Sequence, residues 1–446
     1  LQVNQNKKVF PISIAKDKGI MQNLFSGGLR ILQSGAIFST KIGGLGWEIL
    51  TGNPPMKSIA LKLREAFESL GATYIKLGQF IASAPSLFPP ELVDEMQKCL
   101  DQVRPVPYKD IKRIIKSELG GDVQEVFHTF SEKPIASASI AQVHAAITKE
   151  GLDVVVKIQR PDIQDILETD MNLIAVLTWI LEKIAPEFKS SGLTGMVEEF
   201  RKSILEETDF IREARNIEEF ENYLLSVNET RAKVPRVYHS YSTGKVLTME
   251  RFYGAAITDE KALLQYTNKP KAILETALEV WFSSLSNSGF FHADVHAGNL
   301  LILKDEKIGF IDFGIVGRIS PKVWEGLMLF MQGLSFSDAE LVAEGLIGMD
   351  STNPNIDRKK FTKDLENVFR DMTGILNSIQ SGNPASLDES KLNSIMFDIK
   401  AITETNGLKI PREFGLLFKQ ILYFDRYVKI LAPEIDIIRD QKKYIS

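Results

Sequence analysis

The sequence predicts an α+β protein in which a few strands are set among many helices. Three observations carry this. Apolar residues recur at helical spacing from Ile59 to Ala84 and from Tyr108 to Leu119, with no strand signal before about Ser131. The pattern then switches to strands joined by a polar turn, through Ala145-Ala-Ile-Thr148 and Asp153-Val-Val-Val-Lys-Ile158, and later to an apolar hairpin at Leu300–Leu303 and Ile308–Ile311. From Pro321 to Ala432 the helical period returns, apart from polar loops around Asn353 and Ser381-Gly-Asn-Pro384.

In chain order, Ser26 to Leu50 mixes Gly, Ile, Leu and Trp47 with few charges, and reads either as an interfacial amphipathic segment or as a helix packed on its own domain. Gly44-Leu-Gly46 is only a fragment of a dinucleotide fingerprint, with no strand before it. Thr51-Gly-Asn-Pro-Pro55 is a breaker and marks a boundary. A helix starts at Pro89-Pro90, and Gly120-Gly121 ends the one from Tyr108. Ile163 to Leu225 is helical in period, broken at Pro186 and at Ser190-Ser-Gly192. Leu173 to Leu181, bounded by Asp170 and Glu182, reads as a buried core helix, and no run is long and uncharged enough to span a membrane. Val234–Tyr238 and Lys245–Met249 read as two further strands. Helices follow over Lys261–Gln265 and Ala272–Ser288.

The residues with the clearest chemistry lie between Phe290 and Gly314. Asp294 stands five positions before Asn299, the spacing of a phosphoryl-transfer loop in which the Asp orients a nucleophile and the Asn binds Mg²⁺. A hairpin over 300–311, turning at the polar Lys304-Asp-Glu-Lys307, carries Asn299 at one end and Asp312 at the other. Two oxygen ligands can then face one hard cation. His292 and His296 invite a zinc reading, but no third His or Cys lies nearby, and shaping the loop is their expected task. Lys157, at the end of a Val-Val-Val run, has the position of a strand lysine that pairs with nucleotide α/β-phosphates. It needs a carboxylate partner, and the acidic run Glu206–Arg215 offers several. Read as one helix, that run puts Glu207 and Asp209 about 200° apart and Glu213 about 120° from Glu207, so they address different partners. Met249-Glu-Arg-Phe-Tyr-Gly254, with Met249, Glu250 and Phe252, reads as a connector whose backbone could recognise an adenine edge.

Composition sets the remaining bounds. With 446 residues, 44% hydrophobic and 25% charged, the chain is an ordinary globular protein of two or three folding units. The single cysteine, Cys99, excludes an internal disulfide framework. A net charge of −5 argues against a general nucleic-acid binder. Residues 1–50 carry +4 and the remainder −9, and a basic leader on an acidic body favours an anionic partner, a membrane before a nucleic acid. The chain begins at Leu1, so a signal or transit segment would lie outside it.

Together, Lys76-Leu-Gly-Gln79, Ala136-Ser-Ala-Ser-Ile-Ala-Gln142, Lys157, Glu207-Thr-Asp209, the His292–Asn299 loop and Asp312-Phe-Gly314 resemble the UbiB/AarF family of atypical kinases, over roughly residues 56–435. The resemblance implies a protein-kinase-like two-lobe fold with an N-terminal helical extension and a largely helical C-lobe. Residues 1–55 would be a basic leader, 56–133 the extension, 134–254 an N-lobe with a helical insertion, and 255–446 the C-lobe. It implies that Lys76 and Gln79 lie across the active site with Glu207 and Asp209. Asp294 would be the catalytic-loop Asp, Asn299 and Asp312 the Mg²⁺ ligands, and Ala136, Ser137, Ala138, Ser139, Ile140, Ala141 and Gln142 the nucleotide loop. Which of Glu207 and Glu213 pairs with Lys157, and which with Lys76, stays open. Many members end in hydrophobic membrane helices, whereas this chain ends in the polar Asp436–Ser446, which weakens integral membrane insertion.

The expected function is therefore an Mg²⁺-dependent ATP-binding atypical kinase or ATPase supporting isoprenoid-quinone or related lipid metabolism. The alternative is an ATP-gated module that binds a lipid or partner with little turnover. Expected partners are a lipid or quinone-type molecule, enzymes of quinone biosynthesis, a membrane surface contacted peripherally and a second copy of the chain. The expected location is cytoplasmic or organellar, in plastid or mitochondrion. Two chemical points stand without the family. Alanines and serines fill a loop where glycines would let the backbone approach phosphate, so transfer to a bulky acceptor should be hindered. After Asp312-Phe-Gly314 the chain reaches Pro321 with no Ala-Pro-Glu element to hold a peptide, so protein substrates are not expected.

Overall fold

The computed structural model describes residues 56–82, 89–99, 104–184, 193–263, 265–349, 351–353, 355–380 and 412–432, with 36, 37, 40, 402 and 405–408 as isolated points. The readings of the basic leader, of most of Ser26–Leu50, of Gly44-Leu-Gly46, of Thr51–Pro55 and of Ser381–Pro384 fall outside these residues. The chain divides into two units: Leu1–Arg215 with Arg236–Arg251, and Asn216–Pro235 with Phe252–Ser446.

The first unit opens with helices α1 (Met56–Leu70), α2 (Ala72–Ala82), α3 (Pro90–Met96), α4 (Tyr108–Leu119) and the single turn α5 (Val123–Val126). Gly120, at φ 78°, takes the left-handed cap that ends α4. Strands β1 (Phe127–Phe130), β2 (Ala136–Ser137), β3 (Ala141–Thr148) and β4 (Asp153–Gln159) follow, then α6 (Ile163–Ile184), α7 (Leu193–Glu207) and α8 (Phe210–Ser226), with only Phe210–Arg215 of α8 in the first unit. Strand β5 (Ala232–Lys233) belongs to the second unit, and β6 (Val246–Glu250) returns to the first. The sheet is antiparallel in the order β1-β3-β4-β6, with β2 also pairing β3, and its register sets Val143 opposite Lys157 and Lys157 opposite Leu247.

Two apolar clusters hold this unit. Ile111 and Ile115 of α4 pack on Phe127, Val154, Val156, Ile158 and Val246 of the sheet. Phe67, Leu70, Tyr74 and Ile81 pack with Leu167, Met171, Phe200 and Ile204 of α6 and α7 and with Ile140. The buried Thr73 hydroxyl donates to Asp170 at 2.7 Å, tying α2 to α6.

Four sequence expectations need correction here. A strand, β1, lies inside the stretch read as purely helical, because Phe127, Thr129 and Phe130 suit a pleated, half-buried surface. The strand expected over Val234–Tyr238 reduces to one bridge, Val237 to Met249, since Pro235 has no N–H for a ladder. The acidic run is not one helix: it breaks at Thr208-Asp209, where the Asp209 carboxylate caps α8 by accepting the Arg212 N–H at 3.0 Å. Helix α6 is buried at Asp170, Met171 and Ile174 but exposed at Val176, Leu177 and Trp179, so it is not a fully buried core helix.

The second unit contains β7 (Gly254–Ala256), α9 (Glu260–Leu263), α10 (Pro270–Ser288), β8 (Phe290–His292), β9 (Leu300–Leu303), β10 (Ile308–Phe310), β11 (Val316–Arg318), α11 (Pro321–Phe336), α12 (Ala339–Gly348), α13 (Arg358–Gln380) and α14 (Arg412–Leu431). A four-stranded sheet runs β5-β10-β9-β7, parallel only between β5 and β10, and β11 pairs with β8. Gly289 closes α10 in the left-handed region at φ 64°. A Cβ there would stand 2.3 Å from the Ile319 carbonyl, so only glycine lets the chain turn into β8. The core is aromatic: Trp281 meets Phe291 and Phe424, and Phe220 meets Phe310 and Phe313. Among the described residues no helix is long and apolar enough to cross a membrane.

Candidate active site

In the first unit, β4 and α8 bring together a lysine and a glutamate distant in sequence. Lys157 Nζ lies 2.8 Å and 3.0 Å from the two carboxylate oxygens of Glu213, whose side chain is 1% exposed. The Phe210 ring lies under the same ammonium at 5.4 Å. Lys76 on α2 pairs instead with Glu207 at the end of α7, at 2.8 Å, with both side chains about one-fifth exposed. Geometry thereby settles which glutamate serves which lysine. The break at Thr208-Asp209 makes this possible, because it turns the two glutamates independently.

Gln79 is partly buried one turn beyond Lys76. Gly78 between them is a packing requirement, since a Cβ there would come within 2.7 Å of Cys99 Sγ and 3.2 Å of Met96 Sδ. Burial pushes the Cys99 thiol up to about 11, which keeps it a neutral core group rather than a metal-binding thiolate.

The alanine-rich loop is built by β2, the turn after it and the start of β3. Ala138 N–H donates to Ala141 O at 2.8 Å, closing the turn. Arg160 then staples it. Its backbone N–H donates to Ile140 O, its Nε to Ala138 O, and its Nη2 to Ser137 Oγ and Arg104 O. Ala136 is exposed and Ser137 partly so, Ile140 and Ala141 are buried, and the buried Ser139 hydroxyl has no hydrogen-bond partner. Gln142, expected at the nucleotide, is 1% exposed: its carbonyl accepts the Val106 N–H and its amide donates to His144 Nε2. At the connector, Met249 and Glu250 end β6, with Glu250 N–H donating to Arg236 O. Phe252 begins the second unit, within van der Waals reach of Gly309 and under the Lys233 ammonium.

In the second unit the expected hairpin is present. Leu300 stands opposite Phe310, and the Ile311 N–H donates to Asn299 O at 3.0 Å, extending the ladder by one residue. Asn299 and Asp312 therefore leave the same end of the hairpin. The Asn299 amide NH₂ donates to Asp294 O at 2.9 Å, which orients its carbonyl oxygen as the remaining acceptor. Asp312 takes φ 61°, a left-handed conformation that Asp tolerates better than most residues, and Phe313 after it is buried between Phe220 and His292. One carboxylate and one amide oxygen suit a hard divalent cation such as Mg²⁺. Among the described residues no group of three or more His, Cys, Asp or Glu is placed to hold a metal ion.

His292 is fully buried. It accepts the Asp294 N–H at Nδ1 and donates from Nε2 to Ile311 O, which fixes the neutral tautomer. Burial lowers its pKa accordingly. It therefore ties the loop to the strand end before Asp312, and His296 lies 3.8 Å from Asp294 Oδ2. Sequence reasoning missed three residues of this site: Lys419, Gln420 and Tyr427 of α14, all of which contact the loop. Their only signal in sequence was a polar residue pair within an apolar helix.

A strand lysine paired with a helix glutamate, a loop with Asp and Asn five apart, and Asp-Phe-Gly after a hairpin define a kinase-like fold. Residues 98–346 match the ABC1 atypical kinase-like domain, and the chain belongs to this family, whose members include the AarF proteins. An uncharacterized aarF domain-containing protein kinase of Arabidopsis thaliana, described as chloroplastic, is 47% identical over 401 residues, covering 86% of this chain and 74% of its own length. The chloroplastic Activity of BC1 complex kinase 7 of the same plant is 33% identical over 86% of this chain. That match spans about half of its length, 53%. An uncharacterized protein of Mycobacterium tuberculosis is 31% identical over 90% of this chain and 83% of its own.

Proposed function

We propose that this protein is an Mg²⁺-dependent ATP-binding atypical kinase or ATPase that supports isoprenoid-quinone or related lipid metabolism at a membrane surface. The observation that carries the nucleotide part is the common exit of Asn299 and Asp312 from one hairpin end, with the Asn299 amide oriented by Asp294 O. In this reading Asn299 and Asp312 hold the cation, which when bound neutralises phosphate charge. Lys157, steadied by Glu213, meets the α/β-phosphates, and Asp294 orients the attacking oxygen. A small or lipid acceptor is favoured over a peptide, because only the six residues Ile315–Ser320, with β11 among them, separate the Asp-Phe-Gly turn from α11. The plastid names of two relatives favour an organellar setting.

Asp312→Asn should remove most metal-dependent nucleotide binding, because no neutral group replaces a carboxylate on Mg²⁺. Asn299→Ala should act in the same direction but less. Titration with Mg·ATP checks both, and undiminished affinity in Asp312→Asn would overturn the assignment. The stapled alanine-rich loop favours a second reading, in which nucleotide gates the binding of a lipid or partner and turnover is incidental. Steady-state phosphate release no higher than in Asp312→Asn, with intact Mg·ATP binding, would select it.

A further inference from the structure

Helix α14, from the far end of the described chain, is the main side-chain support of the loop that carries Asp294. Gln420 accepts the Val295 N–H at 2.8 Å and donates to Ala293 O at 2.6 Å, and Tyr427 donates its hydroxyl to Val295 O at 2.8 Å. Both side chains are buried, Gln420 at 0% and Tyr427 at 2% exposure. They stand seven apart, about two helical turns, and so share one face. Three backbone groups flanking Asp294, the Ala293 carbonyl and the Val295 N–H and carbonyl, are thus satisfied by one helix, while the Ala293 N–H donates to Ile315 O.

Lys419, beside Gln420, lies 3.0 Å from Asp294 Oδ1, with its ammonium near the Tyr423 ring at 5.6 Å. The other carboxylate oxygen faces His296 Nε2 at 3.8 Å, longer than a hydrogen bond. Lys419 is thus a fixed anchor for the carboxylate at Oδ1. A carboxylate beside a triphosphate is repelled by it, and a lysine at hydrogen-bond distance offsets that repulsion while fixing the carboxylate plane.

We propose that Lys419 is a positioning residue for Asp294, so that α14 governs the rate of phosphoryl transfer and not the affinity for nucleotide. This rests on the Mg·ATP reading given above. In the step concerned, the oxygen of water or of a small hydroxyl compound bonds to the γ-phosphorus as the bond to the ADP oxygen breaks. The proton of the attacking group passes by way of Asp294 to solvent. Lys419 touches neither reacting oxygen; it aims the group that does.

The test compares wild type, Lys419→Met, Lys419→Arg, Asp294→Asn and the Lys419→Met/Asp294→Asn double variant. Phosphate release at saturating Mg·ATP should fall at least tenfold in Lys419→Met, with the Kd for Mg·ATP changed less than threefold. Lys419→Arg, which keeps the charge, should recover to within threefold of wild type. Melting temperatures without nucleotide should be non-additive across Lys419→Met, Asp294→Asn and the double variant, because each single change breaks the same pair. Turnover of Lys419→Met within twofold of wild type, equal loss of affinity and rate, no recovery with Arg, or additive melting shifts would each overturn the proposal. Should Lys419→Met fail to fold, the Arg variant and the Asp294→Asn melting shift still test the charge and the pair. Wild-type release no faster than Asp312→Asn would overturn the phosphoryl-transfer reading itself, and with it the rate role of Lys419. The melting comparison would then still report on the pair.

Discussion

At the scale of single residues, two lysine–glutamate pairs of similar length differ in what their loss should do. Lys157 faces a glutamate that is 1% exposed, so Lys157→Ala leaves a buried carboxylate without its main partner. It should destabilise by about 3 kcal/mol, the range for breaking one side of a buried pair. Lys76 and Glu207 are each about one-fifth exposed, and Lys76→Ala should cost less than about 1 kcal/mol of stability. Thermal melts of the two variants check the contrast. What Lys76→Ala should change is nucleotide handling: an altered Mg·ATP affinity, or phosphate appearing on the protein itself in intact-protein mass spectrometry. Wild-type behaviour in both assays would reduce Lys76 to a structural lysine. Gly78→Ala tests the packing of the same motif. A methyl 2.7 Å from Cys99 Sγ must displace it or Met96, and the melt should show a loss of about 1–3 kcal/mol.

At the scale of elements, the alanine-rich loop is held by a residue outside it. Alanine and serine lack the freedom of glycine, and three hydrogen bonds from Arg160 to the loop, to Ser137, Ala138 and Ile140, add a second restraint. Arg160→Ala should leave the sheet intact and raise amide hydrogen exchange of residues 137–141 at least tenfold, while β4 stays protected. Unchanged exchange there would show that the loop is rigid by its own turn. The elements themselves were largely legible in sequence. The hairpin at 300–311 was clear from its apolar runs and polar turn, and its termini put Asn299 and Asp312 together. The paired β3 and β4 were equally clear from two strand-forming runs joined by a polar turn containing Gly151. The break at Thr208-Asp209 was not, because an Asp cap inside an acidic run looks like more of the same helix.

At the scale of the whole molecule, stability should depend on two buried imidazoles. His144 donates from Nδ1 to Ser131 O and accepts from Gln142, and burial lowers its pKa below 6.5, as it does for His292. Each is neutral in the folded state and titrates near 6.5 once unfolded, so below that value the unfolded chain binds more protons. Stability is therefore full above about pH 6.5 and is lost as pH falls from there through the folded-state pKa values. Melts from pH 7.5 to 5.5 should show a steady fall, shallower in His144→Gln. A flat profile over that window would mean that neither imidazole is held neutral.

Local chemistry in the sequence determined most of the elements and nearly all of the candidate chemistry: period and breakers placed helices and strands, and the spacing of Asp294, Asn299 and Asp312 needed only a hairpin to converge. Tertiary structure alone decided the partners. Glu213 serves Lys157 and Glu207 serves Lys76 because a one-residue cap reorients the chain between them. Gln142 turns into the core because Val106 N–H and His144 there satisfy both ends of its amide, the oxygen and the NH₂. Lys419, Gln420 and Tyr427 join the Asp294 loop because packing of α14 on the aromatic core brings residues more than a hundred positions apart within hydrogen-bond distance. Periodicity reports which face of a helix is apolar. It carries no information about which distant loop that face will meet.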